Sequence, residues 1–379
     1  MKKRLFAAGL ALSLLLTGCS SMLERSYTFS AAHVDRPTTA EDPSVLRVEN
    51  YRELVSAVLY LVSEGAEEGV IQLHDYAGAV EDDLTAACLE VTAQDPLGAY
   101  CVDYIKHEYT RVVSYYQATL DIHYRRTQEQ VRSMVRVTGT GAIRTELREA
   151  LSRFAAEVVL RVAYFSEDEE SIADLIRQTY YGLPAAALGF PEAEISLYPD
   201  SGRERVVEIL LTYPESAEEL RRRSEALAER VKELSVEEGV LPVSEPLETP
   251  AERARRGVSA LWAVASYAPD GGSTAYDALV AGTADDEGMA LAYALLAGGR
   301  VVEGTLRDEP HYWIGLDQYG ESLYLDPSGG TGNVYTAQEL FAQGYRWADS
   351  PKEETEGPAN GEEVAGGTQK DEKSGTEAQ

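Results

Sequence analysis

The segment 273–326 constrains this chain more than any other, because it fixes the order of three elements and the residues at their ends. It reads STAYDALVAGTADDEGMALAYALL, passes through Gly304 and Thr305, and continues as HYWIGLD and then LYLDP. The apolar run after Asp285-Asp286-Glu287 predicts a capped helix. The two later runs predict short strands, one presenting His311 and the next presenting Asp326. A Cys-His-Asp arrangement requires this order. A nucleophile in the first turn of a buried helix gains from the N-terminal dipole and the free backbone N–H groups. A His on a neighbouring strand takes its proton, and an Asp on the next strand fixes the imidazole tautomer and stabilises its cation. His311 and Asp326 stand where those two roles belong. Where the nucleophile belongs stand Asp285, Asp286 and Glu287.

These motifs together resemble the transglutaminase-like domain of many bacterial extracytoplasmic proteins. The resemblance rests on Ser273-Thr274-Ala275-Tyr276-Asp277-Ala278-Leu279, the segment 282–290, His311 with Trp313, and Asp326-Pro327. Family members read Gly-x-x-x-Cys-x-Gly-x-Ala in the middle segment, which sets Asp286 on the cysteine and Gly288 and Ala290 on the matching small residues. The resemblance covers roughly the last third of the chain. It implies a papain-like α+β domain over 251–348, entered by a helix at 251–268, with His311 as the catalytic His and Asp326 as the catalytic Asp. The departure is at the residue that does the chemistry. A carboxylate at a helix N-terminus is held as the anion and is a weak nucleophile toward amides, and its attack would give a mixed anhydride. The expectation is therefore a domain that has lost its nucleophile and binds peptide, protein or cell-wall ligands, or serves as a scaffold. The alternative is an active hydrolase or acyl-transferase of the same superfamily, with Asp286 as carboxylate nucleophile or general base beside His311 and Asp326. A purely structural reading makes Asp285 or Asp286 the N-cap and His311 a hydrogen-bonded core residue. A metal held by Asp285, Asp286 and His311 is not required by their spacing, and neither metal nor cofactor is expected.

At the other end, Lys2, Lys3 and Arg4 precede an apolar stretch at 5–16 that is too short for an ordinary transmembrane helix. Leu16-Thr17-Gly18-Cys19 resembles the bacterial lipobox. That resemblance implies removal of residues 1–18, lipid on the Cys19 sulfur with acyl chains such as palmitate, and a protein anchored to the extracytoplasmic face of the cell membrane. The net charge of −30 argues against nucleic acid as a partner and against lying flat on anionic lipid. Cys88 and Cys101 fit equally a disulfide formed after export and two buried thiols. Residues 19–50 read as the lipidated cysteine and a spacer, with a short strand at 26–30.

Residues 51–133 and 134–238 read as two copies of an α-β-α-β-β unit, offset by about 88 residues. In the first, a helix with Leu54, Val58, Leu61 and Val62 on one face precedes a strand at 70–73. A helix through Leu84, Ala87, Cys88 and Val91 then leads past Pro96-Leu97-Gly98 to strands at 104–113 and 115–124. In the second, a helix at 146–154, a strand at 158–162 and a helix at 169–181 precede a hairpin, 194–198 with 205–213, turning at Pro199-Asp200-Ser201-Gly202. A charged helix closes this copy, with a Ser216/Glu219 capping box and an apolar stripe of Leu220, Leu227, Val231 and Leu234. Residues 239–250, with Pro242, Pro246 and Pro250, form a stiff linker. Residues 349–379 read as a disordered acidic tail. The clustered tyrosines at 100–124 fit a flat binding face of rigid, amphipathic side chains or, the preferred reading, β-formers with wet hydroxyls, and His74, His107 and His123 read as structural. The fold class expected is α+β, with tandem repeats ahead of the transglutaminase-like domain.

Overall fold

The computed structural model describes residues 37–40, 42, 44–165, 167–237, 249–318 and 321–351. The leader, Cys19, the strand expected at 26–30, most of the Pro-rich linker and the tail from residue 352 lie outside the described residues. The chain is α+β.

The first unit opens with β1 (Val45–Val48), α1 (Tyr51–Glu64) and β2 (Glu68–His74). α1 starts at Asn50, whose side chain accepts from the Glu53 N–H, and stops at Gly65, whose φ of 70° only glycine adopts cheaply. Its Leu54, Val58, Leu61 and Val62 stripe is buried against the sheet. Next come α2 (Val80–Gln94), α3 (Pro96–Cys101), β3 (Val102–Val112) and β4 (Tyr115–Tyr124). The sheet order is β1-β2-β4-β3, with β1 parallel to β2 and the other pairs antiparallel.

After α4 (Gln128–Ser133) the second unit runs β5 (Val135–Thr138), α5 (Gly139–Ser152), β6 (Glu157–Ala163), α6 (Glu169–Tyr181), β7 (Glu192–Tyr198) and β8 (Arg205–Thr212). Its order is β5-β6-β8-β7, with the same sequence of one parallel and two antiparallel pairings. α7 (Ala217–Glu237) follows, with Leu220, Leu227 and Leu234 buried.

Several expectations need correction. The spacer assigned to residues 19–50 contains β1, and β5 likewise precedes α5, so each unit begins with a strand. Both strands are four residues long, too short for an alternating pattern to stand out. α5 begins at Gly139, not at residue 146. Pro96-Leu97-Gly98 is helical, because Asp95 accepts from the Leu97 and Gly98 N–H groups and Pro96 suits the first turn. Cys88 and Cys101 are free thiols, and burial pushes them up to about 11 and about 12.

The last third holds α8 (Pro250–Val264), β9 (Ser266–Gly272), β10 (Thr283–Ala284), α9 (Asp286–Ala297), β11 (Arg300–Leu306), β12 (Glu309–Gln318), β13 (Glu321–Leu325), β14 (Tyr335–Thr336), α10 (Ala337–Ala342) and β15 (Tyr345–Arg346). Here too a boundary moves: the entering helix stops at Val264, and Ser266–Gly272 is a strand paired with β10. Asp277–Ala281 is a π-helical turn closed by Gly282 at φ 86°. An antiparallel sheet of order β14-β13-β12-β11-β15 packs on α9. One apolar core runs without a break from the second sheet through α7 into α8, α9 and this sheet. A second core fills the first unit and takes in Val159 and Val206 of the second sheet. Among the described residues no helix is long and apolar enough to cross a membrane.

Candidate functional site: a histidine between two carboxylates

The Asp285-Asp286-Glu287 run divides its labour at the start of α9. Asp285 is the N-cap: its Oδ1 accepts from the Gly288 N–H at 2.9 Å and its Oδ2 from the Ser273 hydroxyl at 2.5 Å. Asp286, one residue on, turns away from the helix toward β12. Its Oδ2 accepts from the Tyr312 N–H at 2.7 Å and lies 2.8 Å from His311 Nδ1. The helix start must come close for this. A Cβ at Gly288 would stand 2.6 Å from the Gly272 carbonyl oxygen and 2.8 Å from the Ala284 Cβ, so only glycine fits.

On the other side of the ring, His311 Nε2 lies 2.8 Å from Asp326 Oδ2. Asp326 ends the β13 segment and caps a 3-10 turn, its Oδ1 accepting from the Ser328 N–H and hydroxyl at 2.9 and 2.6 Å. Tyr345 donates its hydroxyl to Oδ2 at 2.8 Å. Trp262 of α8 donates its indole N–H to the Pro327 carbonyl at 2.8 Å, which ties this turn to the entering helix. Trp313 stacks near the imidazole with ring centroids 6.2 Å apart, and Tyr345 meets it edge-on. The side chains of His311, Asp286 and Asp326 are only 11%, 19% and 13% exposed.

Two ionised carboxylates can only accept, so each ring nitrogen must carry a proton to satisfy this geometry. Burial works against charge on the His311 ring, but the hydrogen bonds to Asp286 and Asp326 and their charges outweigh it and raise its pKa to about 9. Asp326 is buried, which alone would raise it, yet the bonds from His311, Ser328 and Tyr345 hold it below the usual carboxylate range. His311 is thus an imidazolium at neutral pH, held in that form by its hydrogen bonds to Asp286 and Asp326. A cation with both protons committed has no lone pair with which to act as a base.

Glu287 completes a second layer. It is buried, which pushes its carboxyl up to about 7, opposed by the Tyr181 hydroxyl that donates to it at 3.1 Å and reinforced by Asp285 and Asp286. Tyr181 also reaches the Tyr312 hydroxyl at 3.2 Å, so a residue of α6 braces both neighbours of the triad. Asp285 is raised as well, by burial first.

The structure therefore brings Asp286, His311 and Asp326 together and assigns capping to Asp285. Asp285 faces Ser273 and Gly288, and no group of three or more His, Cys, Asp or Glu side chains suited to a metal occurs among the described residues. Sequence reasoning missed Tyr181, Tyr345 and the burial of Glu287. Tyr181 lies 106 residues before Glu287, beyond the reach of any local pattern. His74 stacks on Tyr115, His107 contacts the Thr85 hydroxyl, and His123 pairs with Asp121 under Tyr104, all in the first unit. No protein-family model matches the chain, and neither the curated proteins nor the solved structures contain a match.

Proposed function

We propose that residues 251–348 form a transglutaminase-like domain in which Asp286 has replaced the nucleophile, and that its function is non-catalytic. It captures a peptide, protein or cell-wall component in the relic site or serves as a scaffold, on a lipoprotein held through Cys19 at the extracytoplasmic membrane face. The two preceding units are copies of one another on this reading, and their shared strand order and pairing pattern support it. The anchor is supported by the Leu16-Thr17-Gly18-Cys19 motif.

The observation that carries the reading is the pair of 2.8 Å contacts at His311. In a Cys-His-Asp site the imidazolium is balanced by a thiolate that is itself a strong nucleophile. Here it is balanced by a carboxylate whose near oxygen already accepts from both His311 and the Tyr312 N–H. The geometry of the triad survives while its reactivity does not.

The test is a paired assay on the full chain, unaltered and with Asp286→Cys, using a glutamine-containing protein such as casein and a labelled amine. The expected result is a silent unaltered chain and measurable hydrolysis or acyl transfer with Asp286→Cys. Turnover by the unaltered chain that Asp286→Ala abolishes would overturn the reading in favour of an Asp286-His311-Asp326 hydrolase or acyl-transferase.

A further inference from the structure

β11 is hydrogen-bonded to β12 along its whole length, but on its other side β15 covers only Thr305 and Leu306. From Arg300 to Glu303 that edge has no strand partner among the described residues. A cleft of about 760 Å³ lies there, and its lining takes in Arg300, Val301, Val302 and Glu303 in succession. Successive strand residues point to opposite faces of a sheet, so a cavity that touches four in a row runs along the edge and not over a face. The opposite wall is α6, through Arg177, Gln178 and Tyr181. The volume falls within the range of about 300–1,000 Å³ typical of ligand sites.

The cleft departs from the rest of the molecule in charge. The chain carries a net −30, yet three guanidinium groups, from Arg144, Arg177 and Arg300, face two carboxylates here, Glu303 and Asp349. Arg177 pairs with Glu303 at 2.7 Å. The Arg144 guanidinium contacts only the Gln178 amide oxygen, at 3.4 Å, and the Arg300 guanidinium has no hydrogen bond or ion pair among the described residues. An unfilled strand edge and two cations without carboxylate partners both lack the same thing, an extended chain with acidic side chains.

We propose that this cleft binds an extended peptide segment bearing carboxylates, added as an extra strand on the edge at Arg300–Glu303. The backbone edge holds the peptide main chain, while Arg144 and Arg300 select for carboxylate side chains. The site is separate from His311 and does not depend on the fate of the nucleophile.

The test is fluorescence anisotropy with the full chain and labelled acetyl-(Glu-Val)3-amide at low salt. Comparison probes are the Lys-Val analogue and two N-methylated versions, one methylated on the three glutamates and one on the three valines. Only alternate N–H groups of an added strand face the edge, so one of the two methylated probes must bind at least about tenfold more weakly and the other must not. The Lys-Val probe must also weaken at least about tenfold, as must the Glu-Val probe with Arg300→Glu or with Arg144→Glu, each checked for unchanged thermal unfolding. Three results would overturn the proposal: no saturable binding up to about 1 mM, equal binding of the Glu and Lys probes, or binding that neither methylated probe loses.

Discussion

His311 donates from Nδ1 to Asp286 and from Nε2 to Asp326, and this double commitment has a thermodynamic signature. Its folded pKa of about 9 lies above the unfolded value near 6.5, so the folded state holds its proton more tightly. The resulting stability is present in full below about pH 6.5 and is lost as pH rises through about 9, a change of roughly 3 kcal/mol. Asp326 has the opposite slope: its contribution is present above the unfolded carboxylate pKa near ~3.9 and disappears as pH falls through its lowered value. Asp326→Asn should therefore bring the His311 pKa down toward that of a free histidine, measured by NMR titration of the ring protons. Glu287 behaves differently, because burial raises it to about 7, so that ionising it between about pH 4.5 and 7 destabilises the fold. Glu287→Gln should stabilise the protein at pH 8 by up to about 3 kcal/mol and leave its stability at pH 4 nearly unchanged, measured by urea unfolding. The positions of His311 and Asp326 were legible because each sits at the end of an apolar run. The division between Asp285 and Asp286 was not, since two adjacent acids at a helix start differ only in which way the backbone aims them.

Among the elements, α9 carries the site and its N-terminus sets the geometry. Asp285→Ala removes the cap on the Gly288 N–H and should cost about 1 kcal/mol of stability while leaving the His311 titration in place. Gly288→Ala should be worse. The added methyl would stand 2.6 and 2.8 Å from the Gly272 carbonyl and Ala284, which puts the overpacking cost at the upper end of its range, about 3 kcal/mol, against the ~1 kcal/mol gained in helix propensity, a net loss of about 2 kcal/mol. Thermal unfolding of the two variants side by side checks this order. Long periodic helices such as α1, α6 and α7 could be read directly, α6 to its last residue. The strands β1 and β5 could not, because their parallel pairing with β2 and β6 is a long-range event with four residues of local signal. The helix expected to reach residue 268 stops at Val264 because Ser266 bonds to the Gly282 carbonyl and opens β9, a tertiary contact that outweighs helical propensity.

On the scale of the whole molecule, the divisions suggested by sequence are not breaks in packing. Leu220, Leu227 and Leu234 of α7 share a core with Leu279, Met289 and Leu291 of the last third, and Arg230 donates to the Leu279 carbonyl. Tyr181 and Arg177 of α6 reach Glu287 and Glu303. The first two units are joined by an Arg126–Glu208 pair with Glu208 only 4% exposed, and Arg126 lies over the Tyr100 ring. Arg126→Met should destabilise by about 3–5 kcal/mol because it strands a buried carboxylate, whereas Arg126→Met with Glu208→Leu should recover most of the loss, measured by chemical unfolding. None of these joints has a local sequence pattern. The hydrogen bonds among them join residues about 50 to 130 positions apart, which hydrophobic periodicity does not encode.

The protonation of the His311 ring separates a spent site from a working one, and nitrogen-detected NMR of the full chain labelled at histidine measures it directly. At pH 7 His311 should carry protons on both Nδ1 and Nε2, with two slowly exchanging, strongly deshielded ring protons that persist until pH approaches about 9. A neutral His311 at pH 7, with one bare nitrogen, would contradict this, because that nitrogen would be a base ready to act.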